Sequence, residues 1–433
     1  MSVKTPIHDF LTDYNSKNQI RCHTPGNKGR VFSRDITEIN GADSLYDCNG
    51  IIAESERIAA RLFGAEKTLY SCSGSTLAVQ AMLSLVKTAL KSRSDTALRV
   101  AGFRYAHRSF VSACALLSFE VDWIYPEEFL RAALSPNAVK AAIKPDTAAV
   151  FVNSLDYYGG MCALEHINKI CEKSDVPLLV DNAHGAYLAI TKNHPLSKGA
   201  AMTADSAHKT LPALTGAAYL HINDTRFLPN AKAMTALFGT SSPSYLVLES
   251  LDLCNKHIAE SKTDAFKLVR DLKQSLIEYG FDLKESDPLR ITVKAHTRGY
   301  TGIELARIMR ENKVECEYAD ENCTVLLFST ITTKAETKAV NSALKQIAEK
   351  TPLTPTDYPL LKPKRAMSLH SALFAPDSNC AVLSAEEAIG KVCAEIIAPC
   401  PPGVPLIMPG EIIGGEEARL LKGFGVERLR ITT

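Results

Sequence analysis

Apolar residues recur at helical spacing near the start of the chain, where Ile7, Phe10, Leu11 and Tyr14 follow Thr5-Pro6, a pair that reads as an N-cap and a proline at the first helical position. A polar, glycine-containing stretch runs from His23 to Gly50 and is too irregular for a regular element. From Glu54 onward the pattern alternates. Residues 57–63 and 76–90 read as amphipathic helices, the first closed by Gly64. Short apolar runs stand at 97–101, 147–152, 177–180 and 217–222, separated by helical segments such as 164–173. Short apolar strands alternating with helices predict an α/β domain with a mainly parallel sheet.

A long, mostly helical stretch over 244–279 leads out of that domain. A second cycle follows: strand 290–293, helix 302–312, strands 314–318 and 324–328, and helix 334–349, the pattern of a smaller α+β domain. Pro352, Pro355, Pro359 and Pro363 mark a linker, and the last segment holds a helix near 385–394 and a Pro/Gly-rich run over 399–410. The expected organisation is an arm over 1–50, a large domain over 51–245, a small α+β domain over 246–350, a linker over 351–365 and a C-terminal domain over 366–433.

Composition narrows the function classes. At 433 residues, 46% hydrophobic and 22% charged, the chain is an ordinary globular protein large enough for several domains. Its formal charge of +1 gives no electrostatic reason to expect nucleic acid or an anionic membrane as partner. No apolar run is long enough to span a bilayer, and the first residues lack the apolar core of a signal peptide. The twelve cysteines are scattered singly, with no C-x-x-C pair and no metal-ligand spacing. Reduced thiols, no metal and a cytoplasmic location are therefore expected.

Three segments carry chemistry. Lys209 stands in Asp205-Ser206-Ala207-His208-Lys209-Thr210, a stretch of small, weakly polar residues where an ammonium is costly unless it is used. The run 177–180 ends in Asp181-Asn182-Ala183-His184-Gly185, so Asp181 is an acid at the C-terminal end of a parallel strand, where such sheets bind ligands. Ser73-Gly74-Ser75-Thr76 opens a helix, and helix-initial amides with hydroxyls make a phosphate cup. Pyridoxal phosphate needs these three things: a cup for its phosphate, an acid for its ring nitrogen and a lysine for its aldehyde.

The order cup, acid, lysine resembles the bacterial ornithine/lysine/arginine decarboxylase family, of the aspartate-aminotransferase-like fold type I. The matching text includes HTPGNKG from His23, GIIAESERIAARLFGA from Gly50, SGSTLAVQAM from Ser73, YYGG from Tyr157 and LLVDNAHGAY from Leu178. It continues with DSAHKTLPALTGAAYLH from Asp205, TSSPSYLVLESLD from Thr240 and PPGVPLIMPGE from Pro401. The chain is similar to the short form, without an N-terminal wing domain. The resemblance implies decarboxylation of arginine, lysine or ornithine to an amine, feeding polyamine metabolism, by a homodimer. It implies that Lys209 holds the cofactor, Asp181 pairs with the ring nitrogen, and Ser75, Thr76, Ser206 and His208 hold the phosphate. His107 would stack on one ring face, with Ala183 and His184 lining the other.

A net charge near zero cannot select a cationic substrate globally, so local carboxylates must do it, and Glu411 and Asp43 are the candidates. His23 and Lys28 either order the arm or contribute to the site. Two positions depart from the family pattern, which has histidine where Asn27 stands and glutamate where Asn182 stands; Asn182 is expected to remove a carboxylate beside the ring. The alternatives are another fold type I enzyme, an aldolase or an aminotransferase with Arg290 as carboxylate grip, and a non-catalytic paralogue that binds the cofactor.

Overall fold

The computed structural model describes residues 3–47, 49–90, 98–261, 264–399 and 403–433. Ala97 of a predicted strand, Cys48, Cys400, and Pro401 and Pro402 of the C-terminal motif lie outside the described residues. The chain divides into two units, each assembled from separate stretches. Met1–Val100, Ile143–Ser154 and Leu164–Ser261 make the first, and Ala101–Ala142, Leu155–Ala163 and Lys262–Thr433 the second.

In the first unit five strands lie in the order Lys67–Ser71, Ala218–Ile222, Met202–Ser206, Leu178–Asp181, Thr147–Asn153. The last three are mutually parallel, and Ala218–Ile222 runs antiparallel to both of its neighbours. Four of the five strands therefore point the same way, as a mainly parallel α/β sheet requires. Their near-continuous apolar composition follows from burial on both faces: Leu178, Leu179 and Val180 are at most 1% exposed. The helix Gly74–Leu90 packs Leu77, Val79, Met82, Leu83 and Val86, all buried, as the helical spacing predicts.

The N-terminal helix Pro6–Ser16 starts where expected, but Thr5 does not cap it. Its first amides, at Ile7 and His8, donate instead to Asp252 Oδ2, each at 3.0 Å. Asp252 sits on the helix Tyr245–Glu260, and burial pushes its pKa up to about 6, against the pull of the Ser55 hydroxyl and those two amides. Asp43 has a similar task. Its carboxylate accepts the amides of Asn49, Gly50, Ile52 and Ala53, which pins the start of the helix Ile51–Phe63. With four amides on a carboxylate that is 7% exposed, Asp43 acts here as a structural cap. In the arm, Asn27 closes a local loop, bonding Asp35 and the Gly29 amide, while His23 meets the Tyr14 hydroxyl at 2.9 Å.

The second unit holds a four-stranded antiparallel sheet, Tyr318–Ala319, Cys323–Leu327, Arg290–Lys294 and Leu283–Lys284 in that order. Its helices Gly302–Glu311 and Lys334–Lys345 open with reciprocal capping boxes, Thr301 with Glu304 and Thr333 with Glu336. The strand expected at 314–318 shrinks to Tyr318–Ala319, because the Val314 amide is spent on Met309 in the exit turn of the preceding helix. A three-stranded sheet, Cys380–Ser384, Arg428–Thr432 and Val392–Cys393, closes the chain over its own apolar cluster. No helix forms at 385–394: Gly390 takes a φ of +81°, which ends the turn, and the chain continues into Val392–Cys393.

Two buried arginines organise this unit. Arg104 and Glu411, 1% and 2% exposed, meet at 3.1 Å, and Arg104 also donates to the carbonyls of Pro405 and Leu406. The Met408 amide donates to Glu411 at 2.8 Å. Burial raises the Glu411 pKa, and Arg104 opposes the rise. The Glu411 carboxylate is thus an internal partner of Arg104. Arg290, 1% exposed, donates to the Asp156 and Tyr157 carbonyls at 2.6 and 3.2 Å and lies 3.5 Å from Asp287, so its guanidinium is likewise spent on structure.

Glu411→Gln keeps an acceptor for the Met408 amide but leaves the Arg104 cation without its charge partner. It is expected to cost about 3–5 kcal/mol of stability, read as a lower urea midpoint in the second unit. A wild-type midpoint with a selectively raised KM would instead point to the substrate-reading role.

Candidate functional site

The site of the first unit is assembled from strand ends. Asp181 closes the strand Leu178–Asp181 and is 6% exposed. Parallel strands present their C-terminal ends at one edge, which is where open α/β sheets take ligands. The neighbouring strand, Met202–Ser206, runs directly into the one-turn helix Ala207–Thr210, which carries Lys209. Burial raises the Asp181 pKa; Lys209 and the Ala183 amide pull it down, and Asp205 pushes it further up. The Ala183 amide donates to Asp181 Oδ1 at 3.0 Å and fixes the carboxylate. His184, 9% exposed, lies with Nε2 3.0 Å from Lys209 Nζ, so its ring orients the lysine.

The phosphate-cup segment folds as the sequence implies. Gly74 adopts a φ of +69°, a left-handed conformation that costs glycine little, and its amide donates to the Gly216 carbonyl at 2.8 Å. The helix Gly74–Leu90 then begins with Ser75 half-buried and Thr76 exposed. First-turn amides have no acceptor within their own helix, and the dipole favours an anion there. Ser206 Oγ donates to Ser75 Oγ at 2.9 Å, joining the cup to the lysine-bearing segment. His208 turns Nδ1 to the Ala217 carbonyl at 2.9 Å; burial lowers its pKa, Ala217 raises it and Lys209 lowers it further.

The first unit therefore brings together Asp181, Ala183, His184, Ser75, Ser206, His208 and Lys209. Asp43 is spent as a helix cap, and His107 and Glu411 belong to the second unit. There His107 precedes the helix Arg108–Leu116, with Nδ1 accepting the Ser109 amide at 3.2 Å.

Sequence reasoning missed the polar network behind this edge. Asn182, 0% exposed, bonds Ser154 and Asp205, with His194 Nε2 3.1 Å from its amide nitrogen. Its side chain points into the interior, so the expected gap beside the ring corresponds to a buried amide. Burial alone would raise Asp205, but His194, His221 and the Thr203 hydroxyl hold it below the ordinary aspartate value. Burial drives the His221 pKa down to about 3. His194 Nε2, Asp205 and His221 converge within 4.8 Å, and the Leu196 amide on His194 Nδ1 leaves Nε2 to donate to Asp205. Only the histidines, in His194-Pro195 and Leu220-His221, could have hinted at this from sequence.

A buried acid beside a lysine, with a hydroxyl-lined helix start next to both, is the donor set that pyridoxal phosphate requires. The residues present fit it, with Lys209 for the aldehyde, Asp181 for the ring nitrogen and the Ser75–Ser206 cup for the phosphate.

Comparison with known proteins agrees. Residues 5–284 match the family description "Orn/Lys/Arg decarboxylase, major domain", and residues 357–427 match its C-terminal domain. The chain is 29% identical to the uncharacterized protein YaaO of Bacillus subtilis (strain 168), over 97% of this chain and 94% of the other. It is 27% identical to an arginine decarboxylase of Halalkalibacterium halodurans, over 95% and 91%. Among solved structures, a Francisella novicida lysine decarboxylase, LdcF, superposes with a TM-score of 0.81 at 16% identity, covering 99% of this chain and 81% of the other. Cysteine desulfurase from Thermococcus onnurineus NA1 shares the fold at a TM-score of 0.55. The chain belongs to the ornithine/lysine/arginine decarboxylase family and is a pyridoxal-phosphate decarboxylase of fold type I.

Proposed function

We propose that this protein decarboxylates arginine to agmatine, at a site formed by Lys209, Asp181 and His184 with the phosphate held by Ser75, Thr76, Ser206 and His208. The observation that carries the reading is the convergence of Asp181 and Lys209 from adjacent strand ends, with His184 3.0 Å from the lysine nitrogen. Arginine is favoured over lysine and ornithine because relatives that align along nearly the whole chain bear the name arginine decarboxylase. Agmatine would feed polyamine synthesis in the cytoplasm. A homodimer is favoured by the arm, which exposes Ile20, Val31 and Phe32 at 92%, 72% and 56%.

Pyridoxal phosphate, when bound, supplies the electron sink for the pair released as CO₂ departs. The protein's own part is electrostatic and positional. Asp181 keeps a proton on the ring nitrogen, because a carboxylate there favours the cationic ring. The helix-start amides and the Ser75 and Ser206 hydroxyls would hold the phosphate beside the lysine-bearing segment. His184 orients the lysine nitrogen, the group that would hold the cofactor's aldehyde.

Borohydride reduction followed by peptide mass spectrometry is expected to find the pyridoxyl group on Lys209, and Lys209→Ala to lose it; the adduct on another lysine would overturn the assignment. Asp181→Asn should retain cofactor but lose about 10²-fold or more in kcat, measured at matched occupancy. Release of CO₂ from arginine should exceed that from lysine and ornithine. A keto acid in place of the amine would favour the aminotransferase alternative.

A further inference from the structure

Three neighbouring parallel strands of the first unit end in one row. Asn153 pairs with Asp181 and Asp181 with Ala204, so the next residues, Ser154, Asn182 and Asp205, follow side by side. Successive side chains of a strand point to opposite faces, which separates Asn182 from Asp181. Asn182 and Asp205 are 0% exposed and Ser154 is 3% exposed. The Ser154 hydroxyl donates to Asn182 Oδ1 at 2.6 Å, and the Asn182 amide donates to Asp205 Oδ2 at 2.5 Å. His194 Nε2 meets the same Asp205 oxygen at 2.8 Å, and the Thr203 hydroxyl donates to the other at 2.8 Å. The backbone leaves room for this amide: a Cβ on Gly185 would lie 2.1 Å from Asn182 Oδ1.

We propose that Asn182 is a positioning residue for cofactor binding, its amide bolting the strand end that carries Asp181 to the strand end that carries Ser206 and Lys209, without adding a second carboxylate beside Asp205. The proposal rests on the pyridoxal-phosphate reading of Asp181 and Lys209. A neutral amide suits the position for two reasons. It offers a hydroxyl acceptor on one side and an N–H donor on the other, matching Ser154 and Asp205 in turn. A carboxylate there would sit within hydrogen-bond distance of Asp205, and repulsion between two such groups in a buried site delays the second ionisation to raised pH. One would take up a proton, and the charge behind the site would then change with pH. Asp205 interacts with His194, His221 and Tyr219, and it also acts on the Asp181 carboxyl at the neighbouring strand end. Asp205 is among the influences on the Asp181 carboxyl, so a change in the network reaches the acid that holds the ring nitrogen.

Asn182→Asp preserves shape and exchanges the amide for a carboxyl. Apo protein titrated with pyridoxal phosphate, followed by absorbance, gives the affinity; a pH titration of the loaded protein gives the midpoint of the bound cofactor's spectral change. Asn182→Asp is expected to bind the cofactor about tenfold more weakly at pH 8, with affinity recovering toward pH 6 as the acid pair shares a proton, and to move the spectral midpoint by about half a unit or more. Ser154→Ala, which removes a single hydroxyl, should weaken binding by about threefold. Wild-type affinity and midpoint for Asn182→Asp between pH 6 and 9 would overturn the proposal. Should that variant fail to fold, unchanged affinity in Ser154→Ala would overturn it. Failure of the wild-type protein to take up pyridoxal phosphate is a separate outcome and would sink the cofactor reading itself.

Discussion

The register of three parallel strands is the constraint on which the site depends. Pairing of Asn153 with Asp181 and of Asp181 with Ala204 fixes where each strand stops relative to its neighbours. A slip of one residue would turn Asp181 away from the ligand edge and aim Asn182 at it, because side chains alternate between faces. Leu178, Leu179 and Val180 pair with Val150, Phe151 and Val152, so a slip would either draw the Asp181 carboxylate toward that apolar run or push a buried apolar side chain out to the edge. The hydrophobic register of the sheet therefore delivers the acid to the lysine.

Several buried carboxylates among the described residues are paired, and the pairing gives candidate residues a structural task. A carboxylate removed from water is costly unless a cation or several amides compensate it. Glu411 has Arg104 and the Met408 amide, Asp43 has four helix-start amides, and Asp156 has Arg131 together with the Ala132 and Gly160 amides. Asp181 differs in kind. Its compensation is a single backbone amide and the charge of Lys209, and burial raises its pKa. An acid so lightly compensated, beside a lysine and at a strand end, is suited to hold a group that comes from outside.

The departures from the family pattern also acquire physical meaning. Asn27 closes a turn between Asp35 and Gly29, so its amide is accounted for within the arm. Asn182 is accounted for within the first unit, between Ser154 and Asp205. Neither substitution removes a group from the set formed by Asp181, Lys209, Ser75 and Ser206.

What the sequence determined by itself was everything governed by local periodicity and by the order of chemically unusual residues. The alternation of apolar runs and helical segments was enough for the α/β class, since burial on both faces of a parallel sheet demands that composition. The succession of Ser75-Thr76, Asp181 and Lys209 was enough for the cofactor, since few other chemistries need a cup, an acid and a lysine in apolar surroundings. Tertiary structure alone decided where carboxylates far apart in sequence spend their charge. Arg104 and Glu411 are 307 positions apart, and Asp252 caps a helix that begins at Pro6. No pattern read along the chain encodes such pairs, because they arise from packing between elements. The same holds for Asn182: its neighbours in sequence point to the ligand edge, and only the pairing of strands turns its amide inward to Asp205.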